Sequence, residues 1–135
     1  MTPAEFVARA VGLPWARWRA DWQAMDCYGL IVLWHREVLG VDLGDVPQTD
    51  IVAGFAAARG WVEVAGFAAG ATCFMSWRGA APTHCGVLLP GQRVLHAEGR
   101  PGHPGNVRIT RLRALEAVYG RVRYYRHLHA PHPTD

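Results

Sequence analysis

The sequence predicts one α+β domain, with N-terminal helices packed on a C-terminal antiparallel β-sheet, and three observations carry that expectation. Helix caps and helical spacing run only as far as Gly60. From Trp61 the period changes to strand-like alternation, broken by Gly- and Pro-bearing turns. The 135 residues, 50% hydrophobic and 19% charged, suffice for one core, and that composition excludes an intrinsically disordered chain.

Thr2-Pro3-Ala4-Glu5 is a capping box with Pro at the first helical position. Phe6, Val7, Ala10 and Val11 follow at helical spacing, and Gly12 closes the helix. Leu13 to Met25 reads as a loop carrying Trp15, Trp18 and Trp22 beside Arg17 and Arg19. Such a segment packs against something, either as a wrapped piece of core or as the wall of a substrate cleft. Asp26 stands where an N-cap belongs, and residues 27–39 form a helix apolar nearly all round, hence central, stopped by Gly40. A third helix is expected from Ile51 to Arg59, begun by Thr49 or Asp50. Strands are expected at Trp61–Val64, Thr72–Trp77, His84–Leu89, Arg93–Ala97, Val107–Thr110 and Val118–Tyr125, with a loop at Gly99–Gly105. Residues 1–126 read as a single domain and 127–135 as a flexible C-terminal tail.

Net charge is +3, and every one of the 14 basic residues is Arg. The absence of Lys beside abundant Ala and Gly points to a high-GC genome, so the basic balance does not by itself indicate nucleic acid. Arg121, Arg123 and Arg126 with Tyr124 and Tyr125, joined by Arg108 and Arg111, are residue types that nucleic-acid binding could use, but the alternation of Arg121 and Arg123 with Val122 and Tyr124 reads more simply as a strand with a solvated face. Three cysteines without a CxxC pair are too few for a disulfide scaffold and imply free thiols. The chain shows no membrane span and no charged-then-apolar secretory leader.

Cys27 is the leading candidate for chemistry. It falls in the first turn of the central helix, where unpaired N–H groups and the helix dipole favour a thiolate. A base is found in the hairpin from His84 to Ala97. With Pro90-Gly91-Gln92 as its turn, Leu89 faces Arg93 and Gly86 lies opposite His96. Side chains alternate along a strand, so His84 and His96 become diagonal neighbours, with Gly86 leaving room for both rings. The same parity sends Cys85 to the other face, away from a site built on His84. A zinc site from Cys27, His84, Cys85 and His96 has suitable ligand types but lacks paired short spacing. A nucleophile at a helix start, a strand-borne base and a second polar group orienting that base follow the general logic of activated cysteine catalysis.

The segments Asp26-Cys27-Tyr28-Gly29-Leu30-Ile31, Thr83-His84-Cys85-Gly86-Val87-Leu88-Leu89 and Arg93-Val94-Leu95-His96-Ala97 resemble, in order, the motifs of the NlpC-type cell-wall cysteine peptidases. That resemblance, spanning roughly Ala4 to Tyr125, implies a papain-like fold with Cys27 as nucleophile and backbone oxyanion donor, His84 as general base and acid, and His96 orienting His84. It implies hydrolysis of an amide in peptidoglycan stem peptides, commonly between D-glutamate and a diamino acid, without metal or cofactor. Asp26, Tyr28, Trp15 and Trp18 become candidate substrate-binding residues, and because the family's substrate carries carboxylates the resemblance also offers an anionic cleft as a place for some of the Arg residues at 108–126. The short form and the Met25–Leu30 context resemble the branch carried by phage tails and gene transfer particles. That context implies tail proteins as partners and manufacture in the bacterial cytoplasm, without a signal peptide, for action at the wall. Three departures from the family pattern stand out: Pro14-Trp15 where a Pro-Tyr step is usual, Gly70-Ala71 where Gly-Asp is usual, and Tyr28 in place of a small residue. The competing readings are a tail structural protein retaining the fold and an amidase or acyltransferase using the same dyad.

Overall fold

The computed structural model of the chain describes residues 1–131. Among them are helices α1 (Pro3–Ala10), α2 (Cys27–Trp34), α3 (Ile51–Ala57) and α4 (Leu112–Tyr119). One sheet contains β1 (Trp61–Val64), β2 (Cys73–Arg78), β3 (Ala81–Leu89), β4 (Arg93–Arg100), β5 (His103–Arg111) and β6 (Arg121–His127). Its order is β1-β6-β2-β3-β4-β5, with every neighbouring pair antiparallel. α1, α2 and α3 precede the strands as expected, whereas α4 falls between β5 and β6, and the architecture is the predicted α+β one. No helix among the described residues is long and apolar enough to cross a membrane.

Local chemistry sets the helix ends. Thr2 accepts from the Glu5 N–H while Glu5 reaches back to the Thr2 N–H, which completes the capping box of α1. Asp26 caps α2, and Asp50 caps α3 through the Ala53 N–H. α2 continues through a π-helical turn, His35–Leu39, and ends at Gly40 with φ 70°, a left-handed conformation suited to glycine.

The sheet separates two cores. On one face α1 and α2 bring Phe6, Leu30, Leu33 and Trp34 against Cys85, Val87, Leu95 and Val107. Each large side chain fully buried here contributes about 1.5–3 kcal/mol relative to exposure. The Phe6 ring lies 5.0 Å from both Trp22 and Trp34, so the Trp-rich loop is tied into this core. On the other face α4 packs Leu112 and Leu115 against Phe74, Leu88 and Val94.

Three expectations are corrected. The strand expected at Val118–Tyr125 begins at Arg121, because residues 112–119 are α4, with Leu112 and Leu115 on its buried side. The Gly99–Gly105 loop contracts to a turn, since β4 runs to Arg100 and β5 starts at His103, paired through Gly99–Pro104 and Arg100–His103. The boundary placed after residue 126 also moves. β6 includes His127, the Leu128 N–H bonds to the Gly60 carbonyl, and Ala130 is buried. Of the expected tail, residues 132–135 lie outside the described residues.

Candidate active site

The start of α2 is fixed by three neighbouring residues. The Asp26 carboxylate accepts from the Gly29 N–H at 2.7 Å and from the Trp18 N–H at 2.6 Å. The Asp26 N–H in turn donates to the Arg19 carbonyl at 3.2 Å. Gly29 is required for this arrangement, because a Cβ there would run into the Arg19 carbonyl oxygen. The D-C-x-G pattern is thus a cap plus a clearance, and together they hold Cys27 at the first residue of the helix. The first N–H groups of a helix have no intrahelical partner, so they face whatever anion forms at the sulfur.

The two candidate histidines come from β3 and β4. Leu89 pairs with Arg93 across the three-residue turn as expected, and the ladder covers only Val87–Leu89 against Leu95–Arg93. Beyond it both strands continue, and the His84 Nε2 meets the His96 Nδ1 at 2.9 Å. The His96 Nε2 meets the Thr110 hydroxyl of β5 at 2.7 Å. Both rings are buried. The space beside Gly86, expected to relieve the two histidines, is filled by the Phe74 ring and the Leu95 carbonyl. A side chain at residue 86 would strike these two groups rather than the imidazoles.

Cys27 meets β3 where the β4 ladder no longer covers that strand, so the sulfur interacts with two successive residues, Cys85 and His84. Hydrogen bonding from the Cys85 thiol does most to hold the Cys27 thiol well below its ordinary value; His84 adds to this, and burial opposes it. The effect is reciprocal, and the Cys85 thiol is pushed well up, first by Cys27 and then by its own burial. The expectation for Cys85 is corrected accordingly. Its side chain does point to the face away from His84, as strand parity requires, but that face carries α2, which places Cys85 against the nucleophile candidate. The His84 Nε2 is engaged by His96, which leaves Nδ1 for the sulfur.

Charge in the surroundings is finely placed. Burial, with the nearby Cys27 sulfur adding to it, raises Asp26 to about 6 despite its two N–H donors. Burial and the adjoining His84 lower His96 to about 4, so His96 is neutral near pH 7. One of its nitrogens therefore donates and the other accepts.

A cavity of about 410 Å³ opens beside Cys27. Asp26, Cys27, Tyr28 and Cys85 form one wall and residues of α3, including Phe55, face them, with Arg59 also on its lining. Of the four candidate substrate-binding residues, Asp26 and Tyr28 line it and Trp15 and Trp18 do not. Trp15 instead packs against β4, where a Cβ on Gly99 would strike its ring. Trp18 adopts φ 61° and serves the site through its backbone N–H. The Arg residues flagged near the C-terminus, 108, 111, 121, 123 and 126, also lie off this lining. Arg108 pairs with Glu98 at 3.3 Å and Arg123 sits over the Trp77 ring.

The sequence led Cys85 away from the site and did not single out Thr110 or Tyr119, whose ring lies 4.0 Å from that of His84. Thr110 was within reach, since it shares the face of Val94 and His96 in the β4–β5 register. Tyr119 became visible only once residues 112–119 were seen to be helical.

The NlpC/P60 family matches residues 15–117. The crystal structure of the NlpC/p60 domain of the peptidoglycan hydrolase SagA is similar to this chain with a TM-score of 0.58 at 20% identity, covering 92% of this chain and 98% of that one. That likeness shows the papain-like α+β fold. The comparison with curated proteins finds no match. The matched span takes in well over half of the chain, including Cys27, His84 and His96, and on that basis the chain belongs to the NlpC/P60 family.

Proposed function

We propose that the chain is a cysteine peptidase hydrolysing amide bonds in peptidoglycan stem peptides, with the D-glutamyl–diamino acid bond as its target. The observation that carries this reading is the His84–His96–Thr110 line, at 2.9 Å and 2.7 Å, set beside Cys27, whose thiol His84 helps to hold well below its ordinary value. The name of the similar SagA domain, a peptidoglycan hydrolase, supports the substrate class.

In this reading the Cys27 proton moves to the His84 Nδ1, giving a thiolate and an imidazolium. Both nitrogens of His84 then carry protons, so the His96 Nδ1 must accept from the His84 Nε2, and the His96 Nε2–H donates to Thr110. A neutral His96 suits that role. The thiolate attacks the amide carbonyl, and the Cys27 N–H stabilises the developing oxyanion. His84 then protonates the departing amine, leaving a thioester on Cys27. Water, deprotonated by His84, opens the thioester to release the acid. A positioned acid–base group of this kind is worth about 10²–10⁴-fold in rate. The setting we propose is a phage tail or tail-like particle that thins the wall locally, a reading that rests on the resemblance of the Met25–Leu30 context.

The test is incubation of wild type, Cys27→Ala and His84→Ala with peptidoglycan of several wall types, with released fragments identified by mass spectrometry. Fragments from wild type alone, with masses marking the cleaved bond, are expected. Equal release by Cys27→Ala would overturn the assignment, and no release by wild type would turn attention to a structural role for the fold.

A further inference from the structure

One aromatic residue touches His84 without taking part in the line just described. Tyr119, the last residue of α4, lies flat on the His84 ring, with centroids 4.0 Å apart and planes within 15°. Its neighbours fix it on two sides. The phenol donates to Glu98 at 2.8 Å, and Glu98 is itself paired with Arg108. The Tyr119 carbonyl accepts from the Thr83 hydroxyl at 2.6 Å, which ties the end of α4 to the strand residue next to His84. Arg78 donates to the Val118 carbonyl and anchors the same turn to β2. The backbone of α4 therefore stays in place whatever side chain stands at 119.

The groups facing His84 are few. α2 offers Cys27, β4 offers His96, α4 offers Tyr119, and β2 offers Phe74 and Ser76, which do not titrate. Glu98 and Arg108 stand one contact further out, beyond the phenol. Tyr119 is neutral, since burial and the Glu98 carboxylate both push its phenol above the ordinary value. An aromatic face carries negative charge density and attracts a cation laid on it.

We infer that Tyr119 is a positioning residue for His84, holding the imidazole in the plane that serves both Cys27 and His96 and offering the face of its ring to the imidazolium that forms when His84 takes the Cys27 proton. This rests on the reading that His84 takes the Cys27 proton. The ring is what matters, and the hydroxyl only tethers it.

The experiment follows alkylation of Cys27 by iodoacetamide across pH in the full chain, with the labelled site identified by mass spectrometry. This reads the thiolate directly and needs no wall substrate. Tyr119→Leu, which keeps bulk over His84 and loses the aromatic face, is expected to slow labelling at about pH 6 by about threefold to tenfold. Tyr119→Phe is expected to stay within about twofold of wild type, because it keeps the face. A Tyr119→Leu rate equal to wild type, or an equal loss in both variants, overturns the inference. Wild type without any enhanced labelling below neutral pH overturns the nucleophile reading itself, a result distinct from the other two. Should Tyr119→Leu fail to fold, the wild-type NMR spectrum decides. Stacking shifts the His84 ring protons upfield, and ordinary positions for them contradict the stack.

Discussion

The Cys27 sulfur stands between two donors of different kinds. In the proposed reading His84 takes its proton, whereas the Cys85 thiol, itself pushed well up, stays protonated and by hydrogen bonding holds the Cys27 thiol well below its ordinary value. A hydrogen bond to a charged group contributes about 1.5–3 kcal/mol. Replacing Cys85 with Ala should therefore raise the midpoint at which Cys27 ionises and slow its reaction at about pH 6 by about tenfold. Little change is expected above the ordinary thiol range, where Cys27 is ionised in either protein. Thiolate ultraviolet absorbance, followed against pH in the Cys85→Ala and wild-type proteins, checks this, and superimposed curves would exclude the bond. The pairing of His84 with His96 could be read from the sequence because it depends only on strand parity and a three-residue turn. The place of Cys85 could not. It depends on where α2 docks along β3, which no local pattern encodes.

At the scale of the element, the start of α2 shows how structure and chemistry share the same residues. Asp26 must remain charged to accept two N–H groups fully, yet burial disfavours that charge and raises it to about 6. The native state thus holds a proton on Asp26 that the unfolded chain releases at lower pH. Stability from this group is full below the unfolded carboxyl value and is lost as pH rises through about 6. A shift of this size corresponds to about 3 kcal/mol. Asp26→Asn cannot ionise, so its unfolding free energy should vary less between about pH 4 and about pH 7 than that of wild type, even though it is less stable overall. Parallel denaturation curves for the two proteins would contradict this account. This element was legible because a cap, a cysteine and an obligatory glycine are all local features. α4 was not. Its N-cap, Arg111, makes no side-chain cap hydrogen bond, and Val118 and Tyr119 blend into the β-rich run that follows. Gly120, at φ 107°, is the true break between them.

At the scale of the molecule, the site lies at the seam between the helical half and the sheet. α2 supplies the sulfur, and β3, β4 and β5 supply the His84–His96–Thr110 line from the other side. α4 closes over that line from the far face through Tyr119. The fold class, the three leading helices and the three NlpC-type motifs were all present in the sequence, and the family match agrees with the motifs. The large-scale features that escaped it are the π-helical turn after α2, the cavity under α3, and the docking of residues 128–130 beside β1. The last two depend on contacts between segments far apart in the chain. In the proposed mechanism Cys27 and His84 act as one ionised pair. The most direct measurement is the pH dependence of Cys27 alkylation in wild type and in His84→Ala. Wild type should react well below the ordinary thiol range, and His84→Ala should need a higher pH to reach the same rate. Identical profiles would contradict the account, because the sulfur would then owe its reactivity to something other than His84.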